Sequence, residues 1–356
     1  MSMNKETTMN DKKEWLSRAE CSALRGLAIL GIMLHNYCHW LSVAVKENEY
    51  TFTIGNSRRL WYVLTHPDDL LPVHLVSYFG HYGVPVFLFL SGFGLVMKYE
   101  RSGGDLPFVP FVKRQYVKLF RMMIAGLTAF LIVDAITPGS FTYHANHVLA
   151  QLTMTINLFD RPDRIIWPGP YWFFGLMIQL YIVWRLLIYR RHWGVMAALI
   201  AICWLLQAGC DPLGETLNRL RYNFVGGLLP FCAGVMLGRQ TPPDMLGRMT
   251  RWHWLVVAAV AAALTLALCF GFQTWLWAPV AVLLTCVATI KALPATVCNV
   301  LEWVGGISAA MFVTHPMLRK IFIPISRHGD IYDGLVLYIV TAVAVAWLFD
   351  RKIIRK

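Results

Sequence analysis

The sequence predicts an all-α membrane protein of about ten transmembrane helices. Three observations lead there. Of the 356 residues, 57% are hydrophobic and only 15% charged, against about 25% charged in an ordinary soluble domain. Apolar runs of about 17–25 residues, the length that crosses a hydrocarbon core of roughly 30 Å, recur from end to end. Lys and Arg are also unevenly placed: with the N-terminus inside, 21 fall on cytoplasmic segments and ten opposite, Arg25 counted apart. That is the positive-inside bias of a multi-pass protein, and it puts both termini in the cytoplasm. The net charge of +12 therefore reports topology and leaves no need for a nucleic-acid partner.

The expected spans are 22–44, 75–97, 119–138, 170–189, 194–209, 222–238, 253–271, 273–290, 302–323 and 331–350. A polar segment, 1–20, precedes them, carrying Lys5, Lys12, Lys13 and Arg18 without a small-residue cleavage pattern, so a secretory signal is not expected. Residues 21–350 form one transmembrane domain, and 351–356 a basic cytoplasmic tail. The eight cysteines are scattered, with no zinc or disulfide spacing. Two outward segments, 45–74 and 139–169, are longer than connection requires, and such loops tend to carry binding function. His144–Phe159, inside the second, is too short and polar for a span and reads as an interfacial or re-entrant helix.

The first span holds the most informative residues. In LRGLAILGIMLHNYCHWLSVAV, Arg25 is followed ten residues later by His35. A helix rise of 1.5 Å puts His35 about 15 Å beyond Arg25 and roughly 80° around the axis, so both line one broad stripe, with His39 a turn further on. Arg25 alone reads as a snorkelling arginine and His35 alone as a packed one. Together they mark a polar site inside the membrane, where such groups are costly. A metal on His35 and His39 is not expected, because no third ligand is evident.

The second span ends in Ser91-Gly92-Phe93-Gly94, small residues that permit close helix contact; Ser91 is also a candidate hydrogen-bond donor. Before the third span stand Lys113, Arg114, Lys118 and Arg121. Arg114 and Lys118 are one turn apart and share a face, suited either to anionic lipid or to phosphate. Trp167 to Trp172 punctuate the start of the fourth span, and Trp172 suits an interface. The ninth span carries His315 before Pro316, with Glu302 near its inner end; Glu302 and Asp134 are among the few acids within reach of the apolar region.

These segments, in this order, resemble the bacterial acyltransferase-3 family of integral membrane acyltransferases. Arg25 and His35 match its leading motif, GVPVFLFLSGFGL its Phe-rich segment, FVKRQYVKLFR its basic stretch, GPYWFFGLMIQLY its Trp-Phe segment and ISAAMFVTHP its final His-Pro segment. Arg121 and Met122 depart from the Pro-aromatic pair common there, and Ala309 and Ala310 from an aromatic or polar stretch. The resemblance implies a protein of the bacterial cytoplasmic membrane that moves an acyl group, commonly acetyl, from cytoplasmic acetyl-CoA to a hydroxyl of a glycan or lipid-linked sugar. It further implies catalysis by His35 with Arg25 and donor binding by Arg25, Arg114 and Lys118; the residues themselves add Ser91 to the donor site, Trp172, His315 and Glu302 as acceptor contacts, and no metal. Membrane lipid is an expected partner and homo-oligomerisation is left open. The competing reading is a transporter of a small anion or acyl compound that uses Arg25 and His35 for binding or proton relay. No internal repeat of the transporter kind is present.

Overall fold

The computed structural model describes residues 14–354, so Lys5, Lys12, Lys13, Arg355 and Lys356 lie outside the described residues. Among these, all regular structure is helical. The helices are α1 (Arg18–Cys38), α2 (Ile54–Thr65), α3 (Leu71–Phe79), α4 (Gly83–Leu95), α5 (Phe108–Ile136), α6 (Ala145–Leu152), α7 (Pro162–Ile165), α8 (Trp172–Val183) and α9 (Trp193–Ala208). They continue with α10 (Glu215–Tyr222), α11 (Phe224–Arg239), α12 (Arg251–Leu268), α13 (Phe272–Trp275), α14 (Ala278–Ala292), α15 (Ala295–Gly306), α16 (Ser308–His328) and α17 (Ile331–Phe349).

Each expected span falls on a helix or helix pair, yet by length and composition only five segments cross a membrane alone: 71–100, 108–136, 169–188, 251–268 and 331–352. The number rises to seven if the bent pairs α10–α11 (41°) and α15–α16 (72°) each count as one span. The rest have physical reasons to fall short. Helix α1 carries Arg18, Glu20 and Arg25, and α9 and α14 have only 16 and 15 residues. The expected ninth span, 302–323, is not one rod. It breaks at Ile307, which places Glu302 on a different helix from His315. The segment 144–159 forms the short helix α6 and a 3₁₀ turn, in keeping with an interfacial helix.

Helix α1 sits at the centre, against α3, α4, α14, α15 and α16. Its start is fixed by a capping box: Glu20 N–H donates to Ser17 Oγ and Ser17 N–H to a Glu20 carboxyl oxygen. Glu20 also pairs with Lys291 of α14 at 2.8 Å. Glycine sets how closely the helices approach. A Cβ on Gly26 would lie 2.0 Å from the Leu301 carbonyl oxygen, and one on Gly305 1.9 Å from that of Ser22. The same holds for α4 against α11, where Gly92 faces the Phe231 carbonyl and Gly234 that of Phe89. This is the small-residue packing that membrane helices use in place of a hydrophobic drive.

Gly234→Val should therefore wedge α4 from α11, because its Cβ would start 1.9 Å from the Phe89 carbonyl oxygen. Overpacking of this kind costs about 1–3 kcal/mol. A fall of several degrees in Tm of the detergent-solubilised protein is expected, whereas Gly247→Ala, where nothing lies within 4 Å, should leave Tm unchanged.

Candidate active site

Two cavities meet beside α1. The first, of about 560 Å³, is lined by Arg25, Ser91, Lys98, Arg114 and Lys118. All four cations are exposed to it, and none has a carboxylate partner among the described residues. The sequence reading brought together Arg25, Arg114, Lys118 and Ser91; it did not single out Lys98. Lys98 stands on a π-helical turn, Val96–Glu100, that continues α4 and carries Lys98 and Tyr99 into the cavity wall. Ser91 donates its hydroxyl to the Phe87 carbonyl one turn back at 2.8 Å.

The second cavity, about 660 Å³, is lined by His35, His39, Glu47, Glu49, His81 and Trp172, among others. Ile32, Phe173 and Phe312 line both cavities. The basic cavity and the histidine cavity are thus neighbours that share a wall of three apolar side chains.

His35 is placed by a backbone approach. Gly31 and Gly80 let α1 press against the 3₁₀ turn at residues 80–82; a Cβ on Gly80 would lie 2.5 Å from the Gly31 carbonyl oxygen and 2.7 Å from His35 Cβ. There His35 Nδ1 lies 2.8 Å from the Ser77 carbonyl. A carbonyl only accepts, so Nδ1 carries the proton, and in the neutral ring Nε2 keeps its lone pair. Nε2 faces Glu49 Oε2 at 3.8 Å. The His39 and His81 rings stand 4.7 and 5.6 Å away.

Glu49 comes from the stretch between α1 and α2, which is clamped on both sides. Arg221 Nε donates to the Glu49 carbonyl (2.9 Å), Trp275 Nε1 to the Asn48 carbonyl (3.0 Å), and Asn48 and Thr53 bond each other at 3.0 and 3.1 Å. Burial, and then the charge of Glu47, push the Glu49 carboxyl up to about 8, so at neutral pH it is mainly protonated. Tyr50 next to it stacks on Tyr222 at 3.8 Å, and Trp172 meets both edge-on at 5.7 and 5.1 Å. These rings and Trp167 give the cavity an aromatic wall.

Three further residues lie away from both cavities. Glu302 is exposed, lines neither cavity, and takes part through its carbonyl, which accepts from Ser22 Oγ at 3.2 Å. His315 is fully buried and lines neither; its Nδ1 donates to the Met311 carbonyl at 3.0 Å. Asp134 is a buried ion-pair partner of Lys320, held also by Phe141 N–H and Tyr143 Oη. The third ligand that the sequence did not reveal is Glu47, whose carboxylate joins His35 and His39 with ligand atoms within 4.8 Å. His39 Nδ1 and Glu47 are joined directly at 3.2 Å, and the Lys46 ammonium bonds the His39 carbonyl beside them. That ammonium opposes a dication.

The helical bundle thus holds a buried imidazole in one cavity and four cations in the cavity beside it. Residues 19–351 match the acyltransferase-3 family, described as an acyltransferase domain, and the chain belongs to that family. It is a membrane acyltransferase. No curated protein and no solved structure matches it.

Glu49 gives the site a testable pH response. Below pH about 8 it is mainly neutral; above, a carboxylate appears 3.8 Å from His35 Nε2, where it would oppose the oxyanion of an acyl transfer run at that imidazole. Turnover should fall through pH about 8, and Glu49→Gln should remove that inflection from the pH–rate profile while keeping transfer at pH 7 within about tenfold.

Proposed function

We propose that this acyltransferase moves an acyl group, acetyl in the simplest case, from acetyl-CoA in the basic cavity to a hydroxyl of a glycan or other sugar in the histidine cavity. One observation carries the reading: the cationic cavity and the imidazole-bearing cavity share the wall formed by Ile32, Phe173 and Phe312. Coenzyme A is a polyanion, and Arg25, Arg114, Lys118 and Lys98 offer unpaired cations to its phosphates. Its extended pantetheine arm matches the span of about 15 Å between Arg25 and His35 on α1.

In this scheme His35 Nε2 takes the proton of the acceptor hydroxyl as its oxygen attacks the thioester carbon. The tetrahedral intermediate collapses, the C–S bond breaks, and the imidazolium returns its proton to the thiolate of coenzyme A. Base and acid are one residue and the protons balance. The Ser77 carbonyl holds the required tautomer. Trp172, Tyr50 and Tyr222 offer ring faces on which a sugar can lie. No metal takes part. The enzyme sits in a bacterial cytoplasmic membrane with both termini and the basic cavity on the cytoplasmic side.

Membranes bearing the protein should transfer label from [¹⁴C]acetyl-CoA to glycan with release of free thiol, at a rate unchanged by chelators. A transporter would move label without releasing thiol. His35→Ala should lower transfer by at least 10²-fold while the protein still accumulates in the membrane. Arg25→Lys should lower it by about tenfold or more, since lysine lacks the planar fork. Near-normal turnover of His35→Ala contradicts the assignment of the base.

For sidedness, Arg59 on α2 is exposed and suited to labelling. Above the background of the native thiols, a cysteine at Arg59 should react with an impermeant reagent in intact cells, and one at Gly247 only after lysis. The reverse pattern removes the basic cavity from the cytoplasm, where acetyl-CoA is found.

A further inference from the structure

We propose that Arg319 is an anion-binding residue of the histidine cavity and that the acceptor is an acidic sugar, with a carboxylate or phosphate beside the acylated hydroxyl. This rests on the reading of that cavity as the acceptor site. Among the described residues Arg319 is the one Arg or Lys that is buried as a whole, 5% exposed, and it lines the cavity. Three half-buried cations are paired with acids, Lys320 with Asp134, Arg239 with Glu100 and Lys291 with Glu20, and the two that are not are held by close neutral acceptors, Arg185 by the Leu106 carbonyl at 2.6 Å and Arg221 by the Glu49 carbonyl at 2.9 Å. Arg319, next to Lys320 in the chain, has no carboxylate partner among the described residues.

Its only hydrogen bonds there are long ones from Nη1, 3.3 Å to the Asn36 carbonyl and 3.5 Å to Asn36 Oδ1. The guanidinium carbon stands 5.0 Å from the Trp40 ring centre and 5.8 Å from that of Trp167. Two indoles hold the group in orientation, and Nε and Nη2 remain as donors. A buried charge left unpaired is costly. Guanidinium donors presented as a fork fit a carboxylate or phosphate.

The acids on the same walls do not neutralise it. Glu47 is bonded to His39 at 3.2 Å, Asp163 lies 3.8 Å from Arg164, and Glu49 is mainly protonated at neutral pH. Lys46, Arg161 and Arg164 also line the cavity, so its balance is positive. A neutral sugar would leave the guanidinium unsatisfied, whereas an acidic one completes it and sets which hydroxyl faces His35.

The test compares methyl glucoside with methyl glucuronide and methyl glucoside 6-phosphate, binding each to the purified full-length protein in nanodiscs by calorimetry. At least one acidic sugar should bind tenfold or more tighter than the neutral one. Arg319→Gln should erase that preference and Arg319→Lys should keep part of it. Equal binding of all three sugars to the wild-type protein overturns the proposal. So does a preference that survives Arg319→Gln, which would place the anion on other cations, or an equal loss of neutral and acidic sugars in both variants, the mark of a purely structural role. Acetyl-CoA binding and thiol release, measured on the same samples, report the acyl-transfer reading separately: sugar preference without thiol release would sink that reading and leave the anion site standing.

Discussion

The hydrogen bond from His35 Nδ1 to the Ser77 carbonyl is the contact on which the site depends. It decides which imidazole nitrogen carries the proton, and so directs the lone pair of Nε2 into the cavity. The bond exists only because α1 and the α3–α4 turn touch through backbone, and they touch because Gly31 and Gly80 have no side chains. The orientation of Nε2 is thus coupled to packing between helices more than 40 residues apart in sequence. The close contacts of α1 with α15 through Gly26 and Gly305 hold the other end of the same helix, where Arg25 stands.

One helix carrying both groups gives a simple division of labour. Arg25 faces a cavity rich in unpaired cations, His35 a cavity rich in aromatic rings, and Ile32 lies between them with Phe173 and Phe312. Open space on both sides of an apolar partition suits a donor and an acceptor that approach from opposite directions. It also accounts for polar groups within a membrane bundle at tolerable cost, since they face cavities and not lipid. The loop holding Glu47 and Glu49 closes the histidine cavity, and its rigidity comes from Asn48, Arg221 and Trp275.

Much of this was legible in the sequence, for a physical reason. Residues on one helix obey a fixed period, so the joint presence of Arg25 and His35, and of Arg114 and Lys118, on shared faces could be read directly. What period cannot give is which loop folds back over a helix. Glu49 reaches His35 from the connection after α1, and Arg319 reaches the same cavity from α16, contacts set by tertiary packing alone. Glu302 and His315 stand on different helices and line neither cavity, because the apolar run expected as one straight span turns by 72° at Ile307. The run Gly305-Gly306 before it was the available signal for that bend. Lys98 was hidden differently: it was counted as a cytoplasmic charge, and only the π-helical turn brings it into the cavity.

The most direct measurement is an experimental structure of the protein with a non-hydrolysable acetyl-CoA analogue. The account predicts phosphate density within hydrogen-bond distance of Arg25, Arg114 or Lys118, and the pantetheine arm threaded past Ile32, Phe173 and Phe312. The acyl carbonyl should then lie beside His35 Nε2. Phosphates bound in the histidine cavity, or an acyl group that stops short of the partition with His35 out of reach, would contradict it.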